Sequence, residues 1–370
     1  MTFSVEPSGA ALGALIHGLD LARPLADEEA AALRRELLQH LLLVFPEQNL
    51  TAAQLAGFCR RFGAITRHIL DQYHHPEEPD LCIISNTAKS GAGRTTARMA
   101  GSYWHSDLSY LADPADFSML YAIDVPESGG DTIFANLYQA YETLPEDLRA
   151  RLKGLSAEHG IMAGSGADAK VVLSAAQRAR APGAVHPILR RHPETGREAL
   201  FVNPGFTRRV EGMDAAASAE LLGELYDHAT EARFTYRHKW GAGDPTLFDG
   251  RASMHTATGG YTGAERRTLW RAFMGGAMAV RSSPNKPFFP EGKKGWEDGG
   301  NLAREALFGV PSVAGRSHPL PWLGHARNTG GHPRIFCLFP QAPGARQPTG
   351  WVTRIKSGAE STVAGIGWQY

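Results

Sequence analysis

The segment GSYWHSDLSY (101–110) sets His105 and Asp107 one residue apart. On an extended backbone successive side chains point to opposite faces, so positions two apart converge on one side. An imidazole and a carboxylate placed there either pair with each other or share a third partner. A further group of matching chemistry stands in LFDGRASMHTATGGY, where His255 closes a strand-like run that follows a turn at Asp249 and Gly250. Two histidines and one carboxylate on one face of a metal, with the other positions open, form the site type of non-haem Fe(II) oxygenases. The open positions take a co-substrate and dioxygen.

Such a site needs electrons, and a 2-oxo acid supplies them by losing carbon dioxide. Its distal carboxylate requires a fixed cation, for which the bidentate fork of arginine is suited. ERRTLWR (265–271) provides Arg267 and Arg271, four apart and on one face of a strand, so that one can serve the co-substrate and the other a second anion. Arg266 points to the opposite face. GGDTIFAN (129–136) adds Thr132 at the start of an apolar strand, able to donate a hydrogen bond to a carboxylate.

These residues must be positioned by a chain of 370 residues, 43% hydrophobic, with 38 basic against 38 acidic side chains. The balance gives no global field to attract nucleic acid or an anionic membrane surface, so neither is expected as a partner. Three cysteines, Cys59, Cys82 and Cys337, lie far apart without CxxC spacing, which argues against a disulfide framework or a thiolate zinc site. No basic-then-apolar leader and no apolar run of membrane-spanning length is visible, so a soluble cytoplasmic protein is expected.

LADEEAAALRRELLQHLLLVFPEQ (25–48) reads as a helix followed by a strand, and TAAQLAGFCRRFG (51–63) as a helix capped by Thr51 with Gly63 as its C′ residue. From residue 80 onward many short apolar runs alternate with Gly, Pro and Asp, the pattern of a sandwich or barrel, with helices inserted at 136–155 and 213–229. After about residue 283 the chain becomes rich in Gly and Pro. Residues 306–370 hold five Arg and one Lys against the single acid Glu360. Two regions are therefore expected: a dioxygenase-type domain over 1–283, and a tail over 284–370 that is irregular or disordered.

Taken together, the His105-x-Asp107 pair, the 24 residues to Thr132, the 122 to His255 and the 11 to Arg267 resemble the motif of the TauD/TfdA (taurine dioxygenase and 2,4-D dioxygenase) family of Fe(II)/2-oxoglutarate enzymes. The resemblance spans roughly residues 8–282, including GALIHGLDLARPL, LLLVFPEQNLT, SGGDTIFAN and HPETGREALFVNPGFTRRVEGM. It implies a mainly β fold, a double-stranded β-helix (cupin-like jelly roll) with helical elaborations. It implies His105, Asp107 and His255 as iron ligands, Thr132 and Arg267 as the clamp on 2-oxoglutarate, and Arg271 as the residue facing a small anionic substrate: an alkylsulfonate such as taurine, a sulfate ester or an aryloxyalkanoate. Fe(II), 2-oxoglutarate and O2 are the implied cofactor and co-substrates, and a homo-oligomer the implied assembly. His68, in FGAITRH, and Phe206, in VNPGF, match positions that touch substrate in the family. ARMAGSYWHSD, however, lacks the asparagine that taurine-specific members carry before their HxD pair. A non-catalytic cupin-like metal-binding protein would keep the triad without needing Arg267 and Thr132 at clamp spacing. A zinc hydrolase would want a general base of the HExxH type, which the sequence lacks.

Overall fold

In the computed structural model, residues 3–87, 101–161, 173–262 and 264–275 are described, together with the backbone of two short strands at 354–357 and 360–363. The chain divides into two compact units, Met1–Pro284 and Asn285–Tyr370.

The first unit is built on an eight-stranded sheet. Its strands are β1 (Ser4–Pro7), β2 (Ala14–His17), β3 (Leu42–Val44), β4 (Ala64–Ile65), β5 (Cys82–Ser85), β6 (Phe117–Asp124), β14 (Pro245–Asp249) and β16 (Thr268–Gly275). They run in the order β1-β2-β3-β14-β6-β16-β4, with β5 also paired to β16. A second sheet places β7 (Thr132–Asn136) between β13 (Thr235–His238) and β15 (Ser253–Ala257). Two smaller sheets elaborate the frame, one of β8 (Ser156–His159), β9 (Ala184–Pro187) and β12 (Thr207–Val210), the other of β10 (Leu189–Arg191) and β11 (Glu198–Leu200). The helices are α1 (Asp27–His40), α2 (Ala52–Cys59), α3 (Leu137–Glu142), α4 (Glu146–Leu152), α5 (Ala175–Arg180) and α6 (Ala215–Ala229).

Period-two alternation divides the core. Along β6, Phe117, Met119 and Tyr121 face the cluster that takes Leu33 and Leu37 of α1 and Leu55, Phe58 and Cys59 of α2, while Leu120 and Ala122 face the second sheet. β14 splits in the same way, Leu247 toward the helices and Phe248 inward, where its ring lies 5.1 Å from that of Phe134 on β7. Two sheets closing on one apolar layer, with helices sealing the outer face of the larger one, give the expected jelly roll with helical elaborations.

Local signals explain the helix boundaries. α1 opens on three acids, and the Glu29 carboxylate accepts from the Ala26 N–H, as suits the positive helix N-terminus. α2 carries a full capping box: Thr51 Oγ1 accepts from Gln54 N, and Gln54 Oε1 accepts from Thr51 N. It ends at Cys59, however, so Gly63 is not its C′ residue. A Cβ at Gly63 would meet the Gly275 carbonyl oxygen at 2.2 Å, and the glycine serves close packing of the chain against the end of β16.

In the second unit the described residues form one antiparallel hairpin, β17 (Arg354–Ser357) with β18 (Glu360–Val363). The rest of the stretch expected to be irregular, like segments 88–100 and 162–172, lies outside the described residues.

Candidate metal and co-substrate site

His255 is the middle residue of β15 rather than the end of a run, and its backbone exchanges two hydrogen bonds with His105 (2.9 and 2.8 Å) as an isolated antiparallel bridge. The bridge brings the two rings to 4.2 Å between centroids. Asp107 does not reach the site by strand alternation. The chain turns immediately after His105, with Leu108 at φ +56°, and this turn swings the carboxylate back toward the imidazoles. Asp107 Oδ1 lies 3.7 Å from His105 Nε2, and Oδ2 lies 4.0 Å from His255 Nε2. Among the described residues this is the one His/Cys/Asp/Glu group whose donor atoms all fall within 4.8 Å of one another.

The protonation states suit a divalent metal. His105 Nδ1 sits 2.8 Å from the Tyr103 carbonyl and must donate to it, which assigns the lone pair to Nε2, on the side of Asp107. Burial, with the neighbouring His105, lowers His255 to a pKa of about 3, so it is a neutral imidazole at physiological pH. Burial alone would raise the Asp107 carboxyl; the electrostatic influence of His255 and of the Arg271 guanidinium outweighs it and holds the group below the usual range. Asp107 Oδ2 is buried without a hydrogen bond. A carboxylate oxygen of this kind, set between two imidazoles, is an acceptor awaiting a cation.

Thr132 lies on the strand paired with the one that carries His255, and Arg267 is held to the segment just before Thr132. Arg267 precedes β16 and is 6% exposed; its Nε donates to the Gly130 carbonyl at 2.8 Å. Its backbone N–H donates to Asn86 Oδ1 at 2.9 Å. Gly130 has φ +70°, and a Cβ there would come within 3.1 Å of the Arg267 side chain, so the glycine provides both the turn and the room. Among the described residues no carboxylate forms an ion pair with Arg267, and burial lowers its pKa. Thr132 is buried at the start of β7, directly opposite Ala257, two residues along from His255. Its Oγ1 accepts from Trp240 Nε1 at 3.0 Å, which orients the hydroxyl and leaves its own O–H to donate.

Arg271 lies within β16 on the inward face, with Nη1 3.5 Å from Asp107 Oδ1 and its guanidinium 4.5 Å above the Phe273 ring. The His68 ring stacks on Phe273 at 5.7 Å. His68 Nδ1 accepts from the Leu70 N–H, which assigns the proton to Nε2. Burial and the adjacent Arg271 charge hold its pKa at about 3. Phe206 sets its edge on His105 at 5.8 Å between centroids. These contacts thus join His105, Asp107, His255, Arg271 and Phe206, with His68 linked to Arg271 through Phe273. Thr132 and Arg267 are linked to each other's neighbourhood through Gly130 and the β7–β15 pairing. Trp240, Gly130, Tyr103 and Tyr110 were not singled out, although the Gly-Gly pair before Thr132 was a readable signal for one of them.

Over residues 4–273 the chain matches the family described as taurine catabolism dioxygenase TauD, TfdA family. It is 34% identical, over 74% of its length and 97% of the relative's, to an alpha-ketoglutarate-dependent 2,4-dichlorophenoxyacetate dioxygenase from Cupriavidus pinatubonensis. Among solved structures it resembles a taurine dioxygenase from Burkholderia xenovorans, with TM-score 0.63 and 32% identity over 75% of this chain and 90% of that one. It also resembles AAD-2 in complex with Mn(II) and N-oxalylglycine, with TM-score 0.63 and 27% identity over 75% of this chain and 98% of that one.

Proposed function

The chain belongs to the TauD/TfdA family and is a 2-oxoglutarate-dependent dioxygenase; from that premise we propose that His105, Asp107 and His255 hold its iron, that Thr132 and Arg267 clamp the co-substrate, and that Arg271 receives a small anionic substrate for hydroxylation. The observation that carries this reading is the buried Asp107 carboxylate, aimed at two imidazole nitrogens and lacking any hydrogen-bond donor on Oδ2. Iron(II) bound there supplies dioxygen activation, driven by decarboxylation of 2-oxoglutarate to succinate and carbon dioxide.

The chain's own residues do the rest. Tyr103 fixes the His105 tautomer through its carbonyl. Arg267 presents a desolvated cation whose partner is the distal carboxylate of the co-substrate, and Gly130 and Asn86 hold it in place. Thr132, oriented by Trp240, donates to the same carboxylate. Arg271, in the pocket beside Asp107, draws the anionic end of the second substrate, while Phe206 and Phe273 shield the site from water. Hydroxylation of a carbon that bears sulfonate or an ether oxygen yields an unstable product that splits into a carbonyl compound plus sulfite or an alcohol.

The clamp pair distinguishes this reading from a non-catalytic metal-binding protein, for which a buried Arg267 with no ion-paired carboxylate among the described residues has no use. A homo-oligomer in a reducing cytoplasm completes the proposal; Cys59 and Cys82 are buried thiols, and among the described residues no helix is long and apolar enough to cross a membrane. Succinate release from 2-oxoglutarate with Fe(II) and ascorbate, across sulfonates, sulfate esters and aryloxyalkanoates, tests the activity. Stimulation by at least one of these anions is expected, and none by their uncharged analogues.

A further inference from the structure

Three buried donors near the metal site have no acceptor among the described residues: Nε of Arg271 and the hydroxyls of Tyr110 and Ser118, of which Ser118 stands beside Asp107. Tyr110 is 2% exposed and ends the turn that begins at Asp107. Its ring meets Phe206 edge-on at 4.9 Å, and Phe206 in turn meets His105, so the phenol stands one aromatic ring away from an iron ligand. It belongs to the small apolar cluster that contains Phe273, the ring beneath the Arg271 guanidinium, and Cys82, the register partner of Arg271. Burial drives its pKa well above the ordinary phenol value, and the charges of Arg271 and Asp107 also act on it, so the hydroxyl is protonated and available as a donor.

Leaving a buried hydroxyl unsatisfied is costly, and native structures rarely do so without reason. Phenylalanine would fill the same apolar cluster without that cost. Among the described residues nothing takes that hydrogen, which leaves the position open to an incoming acceptor.

We propose that Tyr110 is a specificity-determining residue whose hydroxyl donates to an oxygen of the anionic group that Arg271 meets, so that the pocket reads its substrate at two points. This rests on the anion-pocket reading of Arg271. A sulfonate, sulfate or carboxylate has at least two oxygens on one centre and can satisfy both donors at once. A head group that turns an N–H or a methyl toward Tyr110 leaves the hydroxyl unpaired and binds less well.

Calorimetric titration of the full-length Mn(II)-loaded protein, saturated with 2-oxoglutarate, tests this with taurine, hexyl sulfate and 2,4-dichlorophenoxyacetate as probes. Tyr110→Phe should weaken the tightest-binding probe by about tenfold, the scale of one hydrogen bond to a charged acceptor. Its affinity for 2-oxoglutarate and its melting temperature should stay at wild-type values. A change of less than threefold in probe affinity overturns the proposal, as does an equal loss for probe and 2-oxoglutarate, which would mark a packing role. Arg271→Gln separates the two levels. If it loses the probe while Tyr110→Phe does not, the anion pocket stands and Tyr110 has no part in it. If no probe binds the wild-type protein, or neither variant weakens binding, both readings fail together.

Discussion

Two buried clusters in the first unit use the same residue types in opposite ways. In one, His192 Nε2 donates to Asp249 Oδ2 at 3.0 Å, and Arg251 grips the same carboxylate through Nε and Nη2 at 2.9 and 2.6 Å. Arg251 also reaches Glu194 at 2.7 Å, which is held from the other side by Arg34. In the other, Asp107 faces His105, His255 and Arg271 at 3.5–4.0 Å, outside hydrogen-bonding distance, and Oδ2 has no donor. Burial opposes the charge of both carboxylates, and in both the neighbouring imidazole and guanidinium groups hold the pKa below the ordinary range. The difference lies in completion. Every lone pair of the Asp249 carboxylate has its partner, so that cluster ties the His192–Gly196 loop to the end of β14. The Asp107 cluster is complete only with a cation at its centre. A buried His–Asp–Arg group is thus read by its unfilled positions rather than by its composition.

The largest effect that sharpens this contrast is on turnover. Ala in place of His105, Asp107 or His255 should abolish Fe(II) retention and lower kcat/KM by at least about a thousandfold, which corresponds to roughly 4 kcal/mol of transition-state stabilisation. Melting temperatures of the two histidine variants in the presence of a chelator should stay within a few degrees of wild type, whereas Asp107→Ala should lose more, because it removes a carboxylate whose depressed pKa marks a folded-state contribution and leaves Arg271 without that partner. Stoichiometric iron in any of the three variants would remove that residue from the ligand set.

Asp249→Ala should do the reverse. It leaves Arg251 and His192 buried without their acceptor, so the apoprotein should lose about 3–5 kcal/mol of unfolding free energy in a urea titration. The pH dependence has a definite sign. A folded-state pKa held below the unfolded value contributes stability that is fully present above about pH 4 and is lost as pH falls through the folded value. The variant should therefore show a flatter stability profile on the acid side than the wild type. Wild-type stability in Asp249→Ala would break the distinction between the clusters.

The sequence made some of this legible because the signals were local in chemistry. His105 and Asp107 lie two apart, Arg267 and Arg271 four apart, and their types alone point to a metal and to anions. Helices α1, α2 and α6 follow from acidic starts, a Thr cap and apolar spacing at three to four residues. What was not legible is what depends on contacts between distant segments. Gly63 looks like a helix stop in its own neighbourhood, but the oxygen it avoids belongs to Gly275. Asp107 reaches the site through a turn, where sequence alternation suggested a strand. Trp240 ends a strand-like run and carries no metal or anion chemistry, so its hold on Thr132 emerges only once β13 pairs with β7. Tyr110 is similar: nothing in its type announces that its hydroxyl lacks an acceptor.

Between the two extremes lies the co-substrate clamp, which is partly satisfied within the chain. Arg267→Ala should weaken 2-oxoglutarate by about 2–4 kcal/mol, the scale of a charge-assisted pair lost from a desolvated site, with a smaller effect on the second substrate. Anaerobic titration of the Fe(II) protein, followed by its metal-to-ligand absorption band, measures this directly. A wild-type titration curve in the variant would remove Arg267 from the clamp.

Thr132→Val should give the smallest effect and the most specific one. The substitution keeps the shape of the side chain but removes a hydroxyl that accepts from Trp240 Nε1 and has its own hydrogen to donate. Loss of the donated bond should cost about 1–2 kcal/mol of 2-oxoglutarate affinity, and the stranded indole N–H should cost about 1 kcal/mol of stability. The two losses can be separated because they belong to different partners. Trp240→Phe made on top of Thr132→Val removes the stranded donor, so it should recover part of the stability and none of the affinity. Thr132→Ser, which retains the hydroxyl, should bind 2-oxoglutarate nearly as the wild type does. If Thr132→Val lowered stability alone, with co-substrate affinity unchanged, Thr132 would belong with Asp249 as a satisfied structural group, and Arg267 would hold the 2-oxoglutarate carboxylate without it.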